Sequence, residues 1–237
     1  MMALNVIILG PPGAGKGTQA ERFARERGIS KISTGDILRE AVSAGTEVGL
    51  RAKAIMARGE LVSDEVIIEI VRERLQRPDA LRGFVLDGFP RTVAQAAALD
   101  AIGDRRDPLI VVDIAVPEAE LMRRLGSRLV CQDCGTNADA TQAEQARAAQ
   151  AEPLRCRLCG GRLVQRADDN HDVVRERLKV YHRQSEPLVE YYRVRPTFRS
   201  IDGAQPPDRV AADLAVAIEA VGHDPRFTGV ASKGAEG

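Results

Sequence analysis

The chain of 237 residues is long enough for one large globular domain, or a core carrying insertions, and too short for several independent domains. Its 34 Lys plus Arg balance 34 Asp plus Glu, which excludes the basic footprint of a protein that coats nucleic acid or an acidic membrane and makes any phosphate binding local. Hydrophobic residues at 44% exclude a disordered chain, and aromatics at 3% with no Trp exclude base-stacking platforms, leaving Ala, Val, Leu and Ile to build the core.

The N-terminal Met-Met-Ala-Leu-Asn-Val-Ile-Ile-Leu-Gly run has no basic segment, no long apolar stretch and no small-residue cleavage site. A mature start and a cytoplasmic location are therefore expected. No stretch reaches the roughly 18 apolar residues that a membrane helix requires, so no membrane partner is expected. Short apolar runs predict five strands, over Asn5 to Leu9, Ile29 to Ser33, Phe84 to Leu86, Leu109 to Ala115 and Thr197 to Ile201. The first, third and fourth are almost continuously hydrophobic, as buried parallel strands are. Three-to-four spacing of apolar residues predicts helices over Thr18 to Arg27, Asp64 to Gln76, Thr92 to Ile102, Glu118 to Leu125, Asp172 to Arg193 and Asp208 to Val221. Strands alternating with helices indicate an α/β fold with a five-stranded parallel sheet flanked by helices. Two stretches break the alternation: residues 33–62, with two short helical pieces separated by Gly45, Gly49 and Gly59, and residues 127–169, with an Ala/Gln-rich segment from Ala138 to Glu152 read as a flexible or helical insertion. Residues 1–32, 63–126 and 170–221 then form the core, and 222–237 a frayed tail.

Gly10-Pro-Pro-Gly13-Ala14-Gly15-Lys16-Gly17-Thr18 follows a buried strand and opens a helix, the context of a phosphate-binding loop. The glycines let successive N–H groups and the helix N-terminus converge on phosphate oxygens, and Lys16 adds a point charge. The general pattern has Ser or Thr directly after the lysine to hold Mg2+, and Gly17 stands there instead, so the ion needs another ligand. Asp87, closing an apolar strand, is the candidate; as a bare residue before Gly88 it also reads as a turn aspartate. Cys131-Gln-Asp-Cys134 and Cys156-Arg-Leu-Cys159 present two thiolate pairs with the spacing of a closed, structural tetrahedral Zn2+ site, with redox dithiols or a disulfide pair as the alternatives.

With that loop, Ser33-Thr34-Gly35-Asp36, Gly59-Glu60-Leu61-Val62-Ser63-Asp64 and Asp87-Gly88-Phe89-Pro90-Arg91-Thr92 in this order, the chain resembles the adenylate kinase family from Val6 to about Val221, in its long form with a zinc-bearing lid. The resemblance implies a P-loop core, an AMP-binding insertion at 33–62 and a lid at 127–169. By motif it places Gly13, Ala14, Gly15, Lys16, Gly17 and Thr18 on ATP phosphates, Arg124 on the ATP base, Arg128 on ATP phosphates, and Gln205 on the ATP base through its backbone. It places Thr34 and Gln95 on the adenine of AMP, Arg39 and Arg91 on its phosphate, and Glu60, Leu61, Val62, Gly88, Phe89 and Pro90 along the same site. Arg166 and Arg177 resemble the remaining phosphate clamps. The catalytic set is then Lys16, Arg39, Arg91, Arg128, Arg166 and Arg177. The chain departs from the family at Leu129, where a second arginine is usual, at Asn137 and Ala138, where an aromatic is usual, and in the longer stretch between Cys134 and Cys156.

The implied reaction is reversible transfer of a phosphoryl group from Mg·ATP to AMP, giving two ADP, in a monomer with structural Zn2+ and no nucleic-acid partner. The residue types suit it: phosphoryl transfer between nucleotides requires alignment and charge neutralisation more than proton removal, and no histidine falls in a motif. Two other readings remain: a nucleoside monophosphate kinase acting on UMP, CMP or GMP, and a zinc-stapled nucleotide-binding protein without turnover.

Overall fold

The computed structural model describes residues 3–102, 108–138, 154–166, 168–222 and 224. Most of the Ala/Gln-rich segment and most of the C-terminal tail lie outside the described residues. Five strands, β1 (Leu4–Leu9), β2 (Ser30–Ser33), β3 (Gly83–Asp87), β4 (Leu109–Ala115) and the late strand Phe198–Asp202, form one sheet in the order β2-β3-β1-β4-late strand. Every pairing is parallel. Val6, Ile7 and Ile8 are at most 1% exposed because β1 lies mid-sheet with both faces covered, which accounts for its unbroken apolar run.

Alternate residues feed two cores. Val6, Ile8, Val85, Val112 and Ile114 pack with Phe23 of α1 (Lys16–Arg27), Leu121 and Leu125 of α6 (Glu118–Gly126), and Leu214 and Ile218 of the C-terminal helix Pro207–Gly222. Ile7, Leu86 and Val111 face Ile67 and Val71 of α4 (Asp64–Leu75), Leu99 of α5 (Val93–Ile102), and Leu188 and Tyr192 of the short helix Pro187–Arg193.

Two excursions leave the carboxyl edge of the sheet. The first is the pair α2 (Thr34–Ser43) and α3 (Glu47–Ala57), started by Ser33 and Thr46, whose hydroxyls accept from the N–H groups of Asp36 and Gly49. The second is an antiparallel hairpin, β5 (Leu129–Cys131) and β6 (Leu163–Gln165), between α6 and α7 (His171–Val180). The late strand Phe198–Asp202 is thus β7. One expectation is corrected here. The helix predicted over Asp172 to Arg193 is divided: α7 ends at Val180, residues Tyr181–Ser185 form a π turn in which Glu186 N–H donates to Tyr181 C=O at 2.9 Å, and α8 (Pro187–Arg193) follows, leaving Pro207–Gly222 as α9. Pro187 has no N–H to continue an i−4 ladder, and the wider turn absorbs the change of register.

Candidate active site

Because all five strands run the same way, their last residues share one edge. Leu9 pairs with Asp113, and Ile8 and Ser33 both pair with Asp87. The loops leaving that edge carry the site, as crevices at the carboxyl ends of parallel strands do. After β1 the chain turns through Gly13 at φ 86° and Gly15 at φ 90°, and α1 begins at Lys16 with no side chain capping its first turn. A side chain at Gly13 would also lie 2.9 Å from Leu125 Cγ, so α6 packs directly against the loop.

The Lys16 ammonium is half-buried and donates to Gly10 C=O at 2.7 Å and Pro11 C=O at 2.8 Å. Burial pushes its pKa down to about 7; Asp87 opposes this, while Arg91, Arg177 and Arg128 add to it. Those four side chains therefore act on one ammonium. Asp87 is the last residue of β3, and a Cβ at Gly17 would stand 3.1 Å from its Oδ2. A Ser or Thr after the lysine would thus stand tight against a carboxylate from the neighbouring strand.

Following β3, the loop is fixed by hydrogen bonds around one carbonyl. Gly88 C=O accepts from Thr34 Oγ1 at 2.7 Å and from Arg91 Nε at 2.8 Å. The Arg91 N–H donates to Gln95 Oε1 at 2.8 Å, and Gln95 Nε2 donates to Asp64 Oδ1 at 2.7 Å while Thr92 Oγ1 donates to Asp64 Oδ2. A carboxylate only accepts, so Asp64 sets which way the Gln95 amide faces. Gln95 is 1% exposed, and Thr34 is 3% exposed. Burial lowers the pKa of Arg91, which lies in the combined field of Asp87, Arg39, Asp168 and Arg166. Arg39 itself is ion-paired with Asp36.

From the hairpin side come three more arginines, organised by two aspartates. Arg128 makes a bidentate pair with Asp169, at 2.6 and 2.5 Å; the Asp169 side chain is 0% exposed and also accepts from Arg177 at 3.0 Å. Asp168 takes Arg166 bidentately at 2.9 and 3.0 Å and Arg177 at 3.1 Å. Burial alone would raise the Asp168 carboxyl, but Arg177 and Arg166 outweigh it and hold it at about 2. Burial brings Arg177 down to about 10.

The hairpin itself is folded around sulfur. Cys131, Cys134, Cys156 and Cys159 have their Sγ atoms within 4.8 Å of one another, with Cys131 to Cys159 at 3.4 Å and Cys134 to Cys156 at 3.7 Å. A tetrahedral Zn2+ with metal–sulfur bonds of about 2.3 Å sets sulfurs about 3.8 Å apart, so the four thiols fit that ion. The backbone fits as well: Gly135 N–H returns to Cys131 C=O and Gly160 N–H to Cys156 C=O, and Leu158 N–H donates to Cys156 Sγ at 3.4 Å.

With this geometry in view, the comparisons with known proteins are decisive. The family model "Adenylate kinase" matches residues 8–197. The adenylate kinase of Archaeoglobus fulgidus is 47% identical over 220 residues, covering 92% of this chain and 99% of that protein. The adenylate kinases of Magnetococcus marinus, at 46% over 89% of this chain and 98% of that protein, and of Rhizobium etli, at 45% over 89% and 97%, are similar. The chain belongs to the adenylate kinase family. Within this family member, Lys16, Asp87, Arg39, Arg91, Arg128, Arg166 and Arg177 gather at one edge of the sheet.

Three predicted site residues have side chains engaged elsewhere. Arg124 donates to Glu120 at 2.7 Å on its own helix, Glu60 is paired with Arg58 at 2.9 and 2.8 Å, and the Gln205 amide is turned to Asp202 C=O and Asp213. Residues 203–205 still sit beside the sheet edge, with Gly203 N–H on Ala115 C=O at 2.8 Å. Sequence reasoning passed over Asp64, which orients Gln95, and Ser185, which reaches Arg91; Asp64 stood inside a quoted motif, but nothing in a single sequence marks Ser185. No helix of the described residues is long and apolar enough to cross a membrane.

Proposed function

We propose that this adenylate kinase family member transfers the terminal phosphoryl group of Mg·ATP to AMP, reversibly, giving two ADP. One observation supports the reading most: Asp87, Arg91, Arg128 and Arg177 all act on the Lys16 ammonium at the carboxyl edge of the sheet, with Arg39 and Arg166 acting on Arg91. The glycine loop and Lys16 take the ATP phosphates, Arg39 and Arg91 take the phosphate of AMP, and Arg128, Arg166 and Arg177 gather the charge that spreads over the transferred group. The attacking oxygen belongs to an ionised phosphate, so no general base is required. Asp87 is the residue that would hold the Mg2+ that accompanies ATP, directly or through water, and the ion would supply charge neutralisation there. The four cysteines would hold a Zn2+ with all four ligand positions filled by the protein, in which case it would serve the fold of the hairpin.

Thr34 favours adenine for a specific reason. Its hydroxyl proton is committed to Gly88 C=O, leaving only acceptor lone pairs, which suit an exocyclic amine and not the 6-oxo group of GMP. In this reading residues 33–62 and 127–169 are the AMP-binding and lid parts of a core made of 1–32, 63–126 and 170–221, with Arg124 and the backbone at Gln205 at the ATP base. A cytoplasmic location and a monomeric state belong to the same reading. The test is to incubate the protein with Mg·ATP and AMP, GMP, CMP or UMP in turn and follow diphosphate formation. Turnover with AMP alone is expected. Turnover with another monophosphate would displace Thr34 and Gln95 from their assignment, and nucleotide binding without exchange would leave a binding protein.

A further inference from the structure

The π turn between α7 and α8 has a consequence for Arg91. Ser185, its last residue, donates from Oγ to the Arg91 carbonyl at 2.8 Å, across 94 positions of sequence. Arg91 N–H is held by Gln95 Oε1 at 2.8 Å and its Nε by Gly88 C=O at 2.8 Å. Residue 91 is therefore tied at its amide, its carbonyl and the base of its guanidinium, and among the described residues no hydrogen bond engages its two terminal NH2 groups. Of these three ties, the amide and Nε bonds are made within the local turn, while the carbonyl bond alone comes from a distant segment, the π turn that follows α7, the helix carrying Arg177. A regular α turn advances about 100° per residue, so without the π turn the residue at 185 would face another side of the helix. The same helix touches the first excursion: a Cβ at Gly59 would lie 2.9 Å from Arg177 Cγ and 3.1 Å from Val173 C=O.

We infer that Ser185 is a positioning residue for Arg91, and that through it the hold on the monophosphate's phosphate group depends on the π turn that follows α7. This rests on the reading of Arg91 as a phosphate arginine. Ser185 touches no nucleotide; it fixes the peptide from which the guanidinium extends, and π turns recur where a side chain must be re-aimed at a functional site.

The experiment measures AMP and adenosine dissociation constants by calorimetry, and KM for AMP and for ATP, on the wild-type chain, Ser185→Ala, Ser185→Thr, Arg91→Lys and the Ser185→Ala/Arg91→Lys pair. Losing one neutral hydrogen bond that aims a charged group is expected to weaken AMP about fivefold. Adenosine, which has no phosphate, and KM for ATP stay unchanged. Ser185→Thr, which keeps the hydroxyl, restores AMP binding, and in the Arg91→Lys background the alanine costs nothing further. Should Ser185→Ala lower the melting temperature severely, Ser185→Cys keeps the volume with a weaker donor and gives the same contrast. Equal weakening of AMP and adenosine, or full additivity with Arg91→Lys, would show a structural staple only and overturn the proposal. If Arg91→Lys weakens AMP while Ser185→Ala does not, the Ser185 assignment alone fails; if Arg91→Lys leaves AMP binding intact, the phosphate reading of Arg91 fails and takes this one with it.

Discussion

A lysine held at a pKa of about 7 makes nucleotide binding a protonation event. At pH 8 an ammonium titrating at about 7 is roughly nine-tenths neutral, whereas at pH 6 it is roughly nine-tenths charged. Burial lowers the Lys16 pKa most, with Arg91, Arg177 and Arg128 adding to it; the negative charge of a triphosphate on the glycine loop opposes both and raises the pKa toward its ordinary value near 10.5. Binding at pH 8 should therefore take up close to one proton, and binding at pH 6 close to none from this group. Affinity should fall up to about tenfold per unit as pH rises above 7, since each complex then has to recruit its proton. The sign for folding follows from the same shift. Between about 7 and 10.5 the unfolded chain holds more protons on Lys16 than the folded chain does, so this group's contribution to stability rises with pH across that window. Calorimetry of ATP binding in two buffers of different ionisation enthalpy reads the proton count directly. At pH 8 the phosphates of ATP are already ionised, so uptake there reports the protein. Lys16→Arg is the control, because guanidinium stays charged and should bind without uptake. Absence of uptake at pH 8, or equal uptake by Lys16→Arg, would refute a half-buried ammonium poised near neutrality.

Two other outcomes follow from the hairpin side of the site. The Asp168 carboxyl, held at about 2 against an ordinary 3.8, contributes stability that is fully present above pH 4 and is lost as pH falls through 2; the shift corresponds to about 2 kcal/mol, and acid unfolding of Asp168→Asn should lack that component. Chelation of Zn2+-loaded protein should lower the melting temperature and open four thiols to a thiol reagent, because structural zinc can contribute on the order of 10 kcal/mol to folding the segment that binds it. Unchanged melting and thiols equally reactive in both forms would show that the cysteines do not hold the metal.

Those features were legible to different degrees, for physical reasons. A phosphate loop is written in residue types whose backbone demands are unusual, so Gly13, Gly15 and Lys16 between a buried strand and a helix are readable directly. Paired Cys-x-x-Cys spacing is equally direct, because a tetrahedral site restricts spacing. The strands at Asn5 to Leu9 and Leu109 to Ala115 stand within one residue of β1 and β4, since both faces of each are buried and every residue is apolar or nearly so. The π turn was not legible. Leu178 to Leu188 is a step of ten residues, about 80° off one face of a continuous helix, and Pro187 marks a break there, but neither says that the extra residue is taken up in a π turn before the proline. Asp169 was equally hidden as a fully buried counter-ion, because aspartates are ordinarily exposed and only the approach of Arg128 and Arg177 from two separate elements makes this one different.

The same approach explains how so many cations share one edge. Arg128, Arg166 and Arg177 would repel one another and Lys16 if nothing intervened, and burial would add a desolvation cost to each. Asp168 and Asp169 answer both costs. Their oxygens take the forks of Arg128 and Arg166 in planar, bidentate geometry and share Arg177 between them, so the guanidinium planes are set before any phosphate arrives. A phosphate oxygen has the same demand for that fork as a carboxylate oxygen, so on the proposed reading a nucleotide would meet arginines already oriented and supplement one anion with another. On that reading reorganisation would be small at the moment charge moves onto the transferred group, which is the condition under which fixed dipoles and charges accelerate phosphoryl transfer. Lysine at these positions would hold the charge without holding the plane, and for that reason the acidic pair is built around arginine.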